Sequence, residues 1–309
     1  SPISLSRAGY WQGRAHEAAG RTDAADTAYR FAGQFQTAFY GLLAAEKAGL
    51  AFDKRLMGGE TFPDWRDTPA ATSSVFEAAV LLRVAGEKNL SERFLLHLSE
   101  TLDGFQIGAL AGLTLEWGEQ HMALMLAKAA VGEGVIWPTA YFPLTDLAKM
   151  DHPVAPELAL AIARRESEFD PRVASPAGAL GLMQVMPKTA QAMAKKVGLR
   201  YQRSQLTEDW QYNATLGTAY LKELVEKFGP VPALVAAAYN AGPSRPIRWM
   251  ELYGDPRKAE VDIIDWVEHI PFTETRNYVM RVGESLPVYR ARLGNPDAVP
   301  RLSQEMAGR

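Results

Sequence analysis

The chain has 309 residues, of which 47% are hydrophobic and 22% charged, and its net charge is −3. This length suits two domains with a sizeable core, so neither a disulfide nor a metal is needed to hold the fold together. The near balance of charge gives no electrostatic reason to expect nucleic acid or an anionic membrane as a partner. Because cysteine is absent, a thiol nucleophile and thiolate metal sites are excluded.

Targeting and transmembrane segments are also missing from the sequence. No apolar run approaches the ~18 residues that suggest a membrane-spanning helix. The first residues, Ser-Pro-Ile-Ser-Leu, have neither an initiator Met nor a basic and apolar signal region. We therefore expect the chain to be a processed or truncated piece.

The first half reads as a series of helices rich in Ala and Leu, cut by short Gly, Asp or Pro breaks. Ser73 and Ser91 are predicted N-caps. Helices of this length joined by short loops pack as antiparallel hairpins, which favours a helical superhelix of the α-solenoid type. The predicted helices of this half span residues 37–48, 73–85, 91–102, 104–116 and 120–131.

Two stretches rich in proline and glycine interrupt this pattern. The first, residues 56–71, is predicted to be an irregular insert that Phe62 and Trp65 hold onto the helices. The second contains Pro138, Pro143 and Pro153 and is predicted to be a connector, because proline ends helices. We place the domain boundary there, with a superhelix domain and its connector in residues 1–145 and a second helical domain in residues 146–309.

The second domain has helical periodicity throughout, and no segment makes a convincing strand. The predicted fold class is therefore all-α. Thr273 is a natural N-cap for the last long helix. The predicted helices span residues 156–169, 187–197, 207–228, 231–239, 246–253, 261–269 and 273–293.

One carboxyl group in this domain lies where an apolar residue is expected. In the helix 156–169, Glu166 falls four residues after Ile162 and three before Phe169, on the same apolar stripe. Burial disfavours the ionised form of a carboxyl group and raises its pKa, which suits a general acid near neutral pH. The alternative is a structural pairing with an arginine or a helix cap, and the helix by itself slightly favours that alternative.

Three later segments add polar side chains suited to a ligand cleft. Residues 175–187 surround Gln184 with apolar side chains, which is typical of a pocket for an uncharged polar ligand such as a sugar. Tyr239 and Asn240 lie at a helix end, and Glu274 lies in the first turn of another helix. Each also has a structural alternative: a backbone-bonded turn for Gln184, a helix C-cap for Tyr239 and Asn240, and helix capping for Glu274.

Taken in order, these segments resemble the motifs of the soluble lytic transglycosylases, a branch of the lysozyme-like superfamily. Four ordered motifs are more specific than any one of them. Residues 10–14 and 39–41 also look like the family's helical superhelix, so the resemblance covers nearly the whole chain, although the chain is shorter than the longer relatives. The matching motifs are Ala163-Arg-Arg-Glu166-Ser167, Gly181-Leu-Met-Gln184-Val-Met-Pro187, Ala238-Tyr239-Asn240-Ala241-Gly242 and Ile270-Pro-Phe-Thr-Glu-Thr-Arg-Asn-Tyr278.

The resemblance implies a lysozyme-like catalytic domain that cleaves the β-1,4 bond between N-acetylmuramic acid and N-acetylglucosamine in peptidoglycan. Glu166 corresponds to the catalytic acid, which then acts as a base on the muramoyl C6 hydroxyl and gives a 1,6-anhydro end. Glycan strands are the implied partner and the periplasm is the implied location. The residues that the resemblance assigns to substrate binding are Ser175, Met183, Gln184, Met186, Tyr239, Asn240, Glu274 and Tyr278.

Two other functions remain open at this point. A glycoside hydrolase usually needs two carboxylates, about 5–9.5 Å apart, and neither Glu168 nor Asp170 pairs convincingly with Glu166. An internal nucleophile removes that need, which favours the transglycosylase over a lysozyme-type hydrolase on the same fold. The other alternative is a non-catalytic glycan-binding scaffold whose N-terminal helices bind a protein partner. The five histidines are scattered without ligand spacing, so we expect no metal and no cofactor.

Overall fold

A computed structural model describes residues 1–151 and 153–309 of the chain. Within these ranges every regular element is a helix, and only isolated bridge pairs join Ala174, Leu180 and Val185. The predicted all-α fold class is confirmed. None of the helices in the described residues is long and apolar enough to cross a membrane.

The chain divides into two compact units that differ from the predicted domains. One unit is Lys54–Thr145, and the other combines Ser1–Asp53 with Asp146–Arg309. The predicted division into residues 1–145 and 146–309 therefore does not describe the first helices of the chain. These helices group with the second half, and the third of them packs against its last long helix.

The segment Ser1–Asp53 contains three helices that pack on one another, and the third of them also packs on the helix that includes Glu284. The carboxylate of Glu284, a residue 3% exposed, accepts the backbone N–H of Phe39 at 2.9 Å and pairs with Arg281 at 2.7 Å. Burial raises the pKa of Glu284, and the charge of Arg281 opposes this. This buried bond fixes the third helix to the second half of the chain. The three helices are α1 (Pro2–Ala18), α2 (Thr22–Ala32) and α3 (Phe39–Lys47).

The unit Lys54–Thr145 is a group of helices with aromatic side chains packed in and against its core. Trp137 donates its indole N–H to the carbonyl of Gly104 at 2.8 Å and stacks on Phe62, with ring centroids 5.1 Å apart. Trp65 lies 4.8 Å from Phe76, so Phe62 and Trp65 hold the insert as predicted. The helices are α4 (Ser74–Val84), α5 (Lys88–Ser99), α6 (Gly104–Glu116), α7 (Gln120–Gly132) and α8 (Pro138–Tyr141), with 3₁₀ turns at Lys54–Met57, Trp65–Asp67 and Pro69–Thr72.

The second half of the chain is built around one buried helix, α9, which packs along the last long helix, α16. Residues 159–163 of α9 are all buried, so this helix has almost no solvent-facing side there. After a 3₁₀ turn at Asp146–Lys149, the helices are α9 (Pro156–Ser167), α10 (Pro187–Lys196), α11 (Gln205–Glu208), α12 (Trp210–Phe228), α13 (Pro232–Ala241), α14 (Ser244–Tyr253), α15 (Ile263–Glu268), α16 (Thr273–Arg292) and α17 (Leu302–Met306).

The helix ends test the predicted caps. Ser73 is the N-cap of α4, as predicted, and its hydroxyl accepts the N–H of Phe76. The prediction for Ser91 is wrong, because α5 begins at Lys88 and the buried Ser91 hydroxyl instead donates to a carbonyl of α4 at 2.8 Å. The prediction for Thr273 is also wrong: Thr273 is the first residue of α16, and the cap position has no side-chain bond. Both hydroxyls lie inside their helices, where a cap is not required.

Candidate active site

Glu166 lies in the last turn of α9, next to an unusual helix end. The helix stops at Ser167 rather than at the predicted Phe169, because Glu168 and Phe169 have left-handed φ angles of 54° and 67°. Residues other than glycine seldom take this backbone conformation, which costs ~1–3 kcal/mol per residue. The turn is held in place by the buried Phe169 ring and by the Ser167 hydroxyl, which donates to the carbonyl of Leu182 at 2.6 Å. Backbone strain of this kind is concentrated at functional sites.

The carboxyl group of Glu166 is largely shielded from solvent. Burial raises its pKa to about 7, from a usual value of 4.5. The Tyr278 hydroxyl donates to Glu166 Oε1 at 2.6 Å and lowers the pKa, as does the nearby charge of Arg165. The negative charge of Glu274 raises it. Desolvation is the largest of these effects, so a substantial fraction of Glu166 is protonated at neutral pH.

Two tyrosines adjoin this carboxyl group. Tyr278 is 2% exposed and is bonded to Glu166, so it supports the carboxyl group, and its predicted role in substrate binding stays a prediction. Tyr239 donates its hydroxyl to the carbonyl of Met183 at 2.8 Å. Burial, and next the charge of Glu166, raise the pKa of both phenols well above the usual value. Both therefore stay protonated and act only as neutral hydrogen-bond groups.

The loop between α9 and α10 carries the predicted sugar-binding residues, but not all of them face outward. Met183 is fully buried and its sulfur lies against Gly217, and its predicted role in substrate binding stays a prediction. Gln184 has a φ of 48° and donates its amide to the carbonyls of Val173 and Gly181 at 3.0 and 2.9 Å. Gln184 is therefore bonded to the backbone of its own loop, which is the structural alternative given above for this residue. Met186, by contrast, is 45% exposed.

Ser175 closes the other end of the same loop. Its backbone N–H donates to the carbonyl of Ala179 at 2.9 Å, and its hydroxyl accepts the N–H of Ala179 at 3.0 Å. Its side chain is half-buried. The loop is thus a compact turn with a fixed backbone, and its predicted ligand contacts at Ser175 and Met186 stay predictions.

Asn213 on α12 binds this loop through its side-chain amide, a role that the sequence analysis did not predict. The residue is fully buried, and its Oδ1 accepts the N–H of Met183 at 2.8 Å. Its Nδ2 donates to the carbonyls of Leu180 and Leu206 at 2.8 and 2.9 Å. Gly181 fits beneath it, since an added Cβ would lie 1.9 Å from the Leu206 carbonyl oxygen. A polar residue on the apolar face of a helix was the signal, as it was for Glu166.

The first turn of α16 carries the predicted residue Glu274 and is bonded to the predicted residue Asn240. Thr275 donates its hydroxyl to Asn240 Oδ1 at 2.6 Å, which joins the end of α13 to the start of α16. Glu274 is exposed in that first turn. Its negative charge raises the pKa of Glu166, so the Glu274 carboxylate lies near enough to Glu166 to act on it. The sequence had suggested that Glu166 has no such companion.

The raised pKa makes stability depend on pH in a defined direction. The contribution of protonated Glu166 to the free energy of unfolding is complete below about pH 4.5 and is lost as the pH rises through about 7. Replacement by glutamine removes the ionisation. We expect Glu166→Gln to be more stable than the unaltered protein at pH 8, by on the order of 3 kcal/mol, and equally stable at pH 4.5. Urea unfolding of both proteins at the two pH values measures this; an equal difference at both would contradict it.

The chain is similar in sequence to known proteins. Residues 145–261 match the family model described as Transglycosylase SLT domain. A soluble lytic murein transglycosylase of Salmonella typhimurium is 38% identical over 189 residues, which cover 58% of this chain and 28% of the relative. The chain therefore spans less than a third of the length of that relative.

Solved structures extend the likeness to almost the whole chain. The 70-kDa soluble lytic transglycosylase of Escherichia coli has a TM-score of 0.81 and 28% identity, covering 97% of this chain and 48% of that one. An inactive glutamate-to-glutamine mutant of the lytic transglycosylase Slt of Pseudomonas aeruginosa has a TM-score of 0.79 and 28% identity, covering 95% and 47%. The chain spans about half the length of these proteins. The predicted resemblance is thus confirmed: residues 145–261 carry a transglycosylase SLT domain, and the chain has the fold of the soluble lytic transglycosylases of the lysozyme-like superfamily.

Proposed function

We propose that this chain is a lytic transglycosylase that cleaves the β-1,4 bond between N-acetylmuramic acid and N-acetylglucosamine in peptidoglycan, leaving 1,6-anhydro ends. The observation that carries the proposal is the Glu166 carboxyl group, whose pKa of about 7 gives both an acid and a base at neutral pH. The family match and the names of the relatives support the substrate class. Such a substrate lies in the periplasm, which is the location we infer.

In the proposed reaction, Glu166 acts in two steps. Protonated Glu166 gives its proton to the glycosidic oxygen as the bond to the anomeric carbon breaks. The resulting carboxylate takes the proton of the muramoyl C6 hydroxyl, whose oxygen then bonds to the anomeric carbon. The carboxyl group ends protonated, as it began, and no water is consumed. Tyr278 holds Oε1 throughout, and the exposed Met186 and half-buried Ser175, Tyr239 and Asn240 are the candidates for contact with sugar.

Glu274 supports a second candidate, a hydrolase that uses water in place of the C6 hydroxyl. Glycosidases with two catalytic carboxylates place them on either side of the bond that breaks. Glu274 is exposed, and its charge acts on Glu166. In the transglycosylase reaction, Glu274 would instead keep Glu166 protonated and bind substrate at the rim of the cleft.

Digestion of purified peptidoglycan followed by mass spectrometry separates the two reactions. We expect muropeptides that are one water lighter than the reducing products, because the C6 oxygen replaces water at the anomeric carbon. A lysozyme that gives reducing ends serves as the control on the same substrate. Reducing, non-anhydro muropeptides as the only products would overturn the proposal and favour the hydrolase.

A further inference from the structure

Glu268, the last residue of α15, joins three helices of the unit formed by Ser1–Asp53 and Asp146–Arg309. Arg7 of α1 reaches both of its carboxylate oxygens, at 3.1 and 3.2 Å. The hydroxyl of Tyr40, a buried residue of α3, donates to Oε1. Arg276 of α16 lies 3.9 Å from Oε2. The Glu268 side chain is only 17% exposed, so these contacts are partly shielded from solvent and salt.

Arg276 also fixes the backbone between α15 and α16. Its Nη1 donates to the carbonyls of Glu268 and Ile270, at 3.2 and 3.3 Å. These two bonds span the turn that leads into α16, and two residues after Arg276 the same helix carries Tyr278. Tyr278 is the residue whose hydroxyl bonds to Glu166 at 2.6 Å. A continuous set of contacts therefore runs from α1 and α3 to the proposed catalytic carboxyl group.

We propose that Glu268 is a positioning residue for the proposed reaction, acting through Arg276 and the first turns of α16 on the hydroxyl of Tyr278. The N-terminal helices α1 and α3 are then part of the catalytic unit, since Arg7 and Tyr40 hold the Glu268 carboxylate. Hydrogen bonds weaken steeply as their geometry departs from the optimum. A small rotation of α16 would therefore loosen the bond between Tyr278 and Glu166.

The test compares Glu268→Ala with Asp265→Ala. Asp265 lies one turn earlier on α15, and its carboxylate pairs with Arg14 of α1 at 3.0 Å, so the control removes an ion pair between the same two helices. The pKa of Glu166 is followed by NMR of carboxyl-labelled protein, and kcat and KM by glycan digestion. We expect Glu268→Ala to raise the Glu166 pKa, because a bond that lowers it is weakened, and to reduce kcat about tenfold with little change in KM. The control should change neither quantity.

A double-mutant cycle tests the route through Tyr278. If Glu268 acts on the Tyr278 hydroxyl, Glu268→Ala added to Tyr278→Phe should leave the Glu166 pKa where Tyr278→Phe alone puts it. An undiminished effect in that background would overturn the proposal, and so would Glu268→Ala matching the control in both pKa and kcat. If thermal melting shows that Glu268→Ala does not fold, Tyr40→Phe removes only the hydroxyl that donates to Glu268 and lies 3.9 Å from the Met280 sulfur, and it should shift the pKa in the same direction. An unchanged pKa in that variant would also overturn the proposal.

The inference rests on the proposed function only for the kcat measurement. The NMR titration follows the carboxyl group whether or not glycan is cleaved. A chain that releases no anhydro products, but in which Glu268→Ala raises the pKa of Glu166, would refute the proposed function and support the positioning role.

Discussion

Replacing Glu166 by glutamine is expected to reduce kcat for glycan cleavage by about 10³-fold or more, because the only proposed acid and base is lost. Binding of glycan should persist, since glutamine has nearly the same shape and its oxygen can still accept the bond from Tyr278. Release of anhydromuropeptides measures cleavage, and sedimentation with insoluble peptidoglycan measures binding. The pair of results also distinguishes an enzyme from a glycan-binding scaffold, which would function equally well with either residue.

Glu168→Gln provides a matched control for this experiment. It makes the same chemical change two residues away, just beyond the end of α9. We expect the control to retain most of the activity, since no step of the proposed reaction passes through that carboxylate. Comparable losses in the two variants would mean that the helix end, rather than the Glu166 carboxyl group, limits the reaction.

Asn213→Ala is expected to lower the free energy of unfolding by about 3 kcal/mol or more. The change leaves the N–H of Met183 and the carbonyls of Leu180 and Leu206 without their partner, in a place that water does not reach. Each unsatisfied buried group costs ~1–3 kcal/mol. Urea unfolding followed by circular dichroism measures the loss.

The control for Asn213 is Thr215→Ala on the same helix. Its hydroxyl donates only to the carbonyl one turn earlier, at 2.8 Å, and its loss should change stability by less than about 0.5 kcal/mol. A loss below about 1 kcal/mol for Asn213→Ala would mean that the loop before α10 is held by other contacts. Cleavage measured on the folded fraction should also fall, because that loop carries Ser175 and Met186.

Local sequence signals predicted much of the helical framework. The span 104–116 agrees with α6 at both ends, because Asp103 provides a capping box and Gly118 ends the pattern. Ser73 was recognised for the same reason. The N-cap prediction for Ser91 was wrong because serine hydroxyls also form bonds within and between helices. Periodicity alone does not distinguish these bonds from a cap. The grouping of residues 1–53 with the second half had no local signal at all.

The candidate site was predicted in part. Glu166 could be singled out because a carboxyl group on an apolar stripe is costly wherever the chain folds. Its bond to Tyr278 joins residues 112 positions apart, so no local pattern in the sequence could predict that the two side chains meet. The full burial of Met183 could not be read from the sequence, because apolar residues of a tight loop face either the core or a cleft. Glu274 was correctly placed in the first turn of its helix, but its effect on Glu166 required the fold.

The grouping of the first three helices with the end of the chain has a consequence for synthesis on the ribosome. Arg7 and Glu268 are 261 positions apart. At about 5–20 residues per second, roughly 10–50 seconds pass between the emergence of one and of the other. During that interval the apolar residues of α3, among them Phe39, Leu42 and Leu43, have no partner on α16 to cover them. The unit that contains Glu166 can therefore complete its folding only after the residues of α16 have left the ribosome.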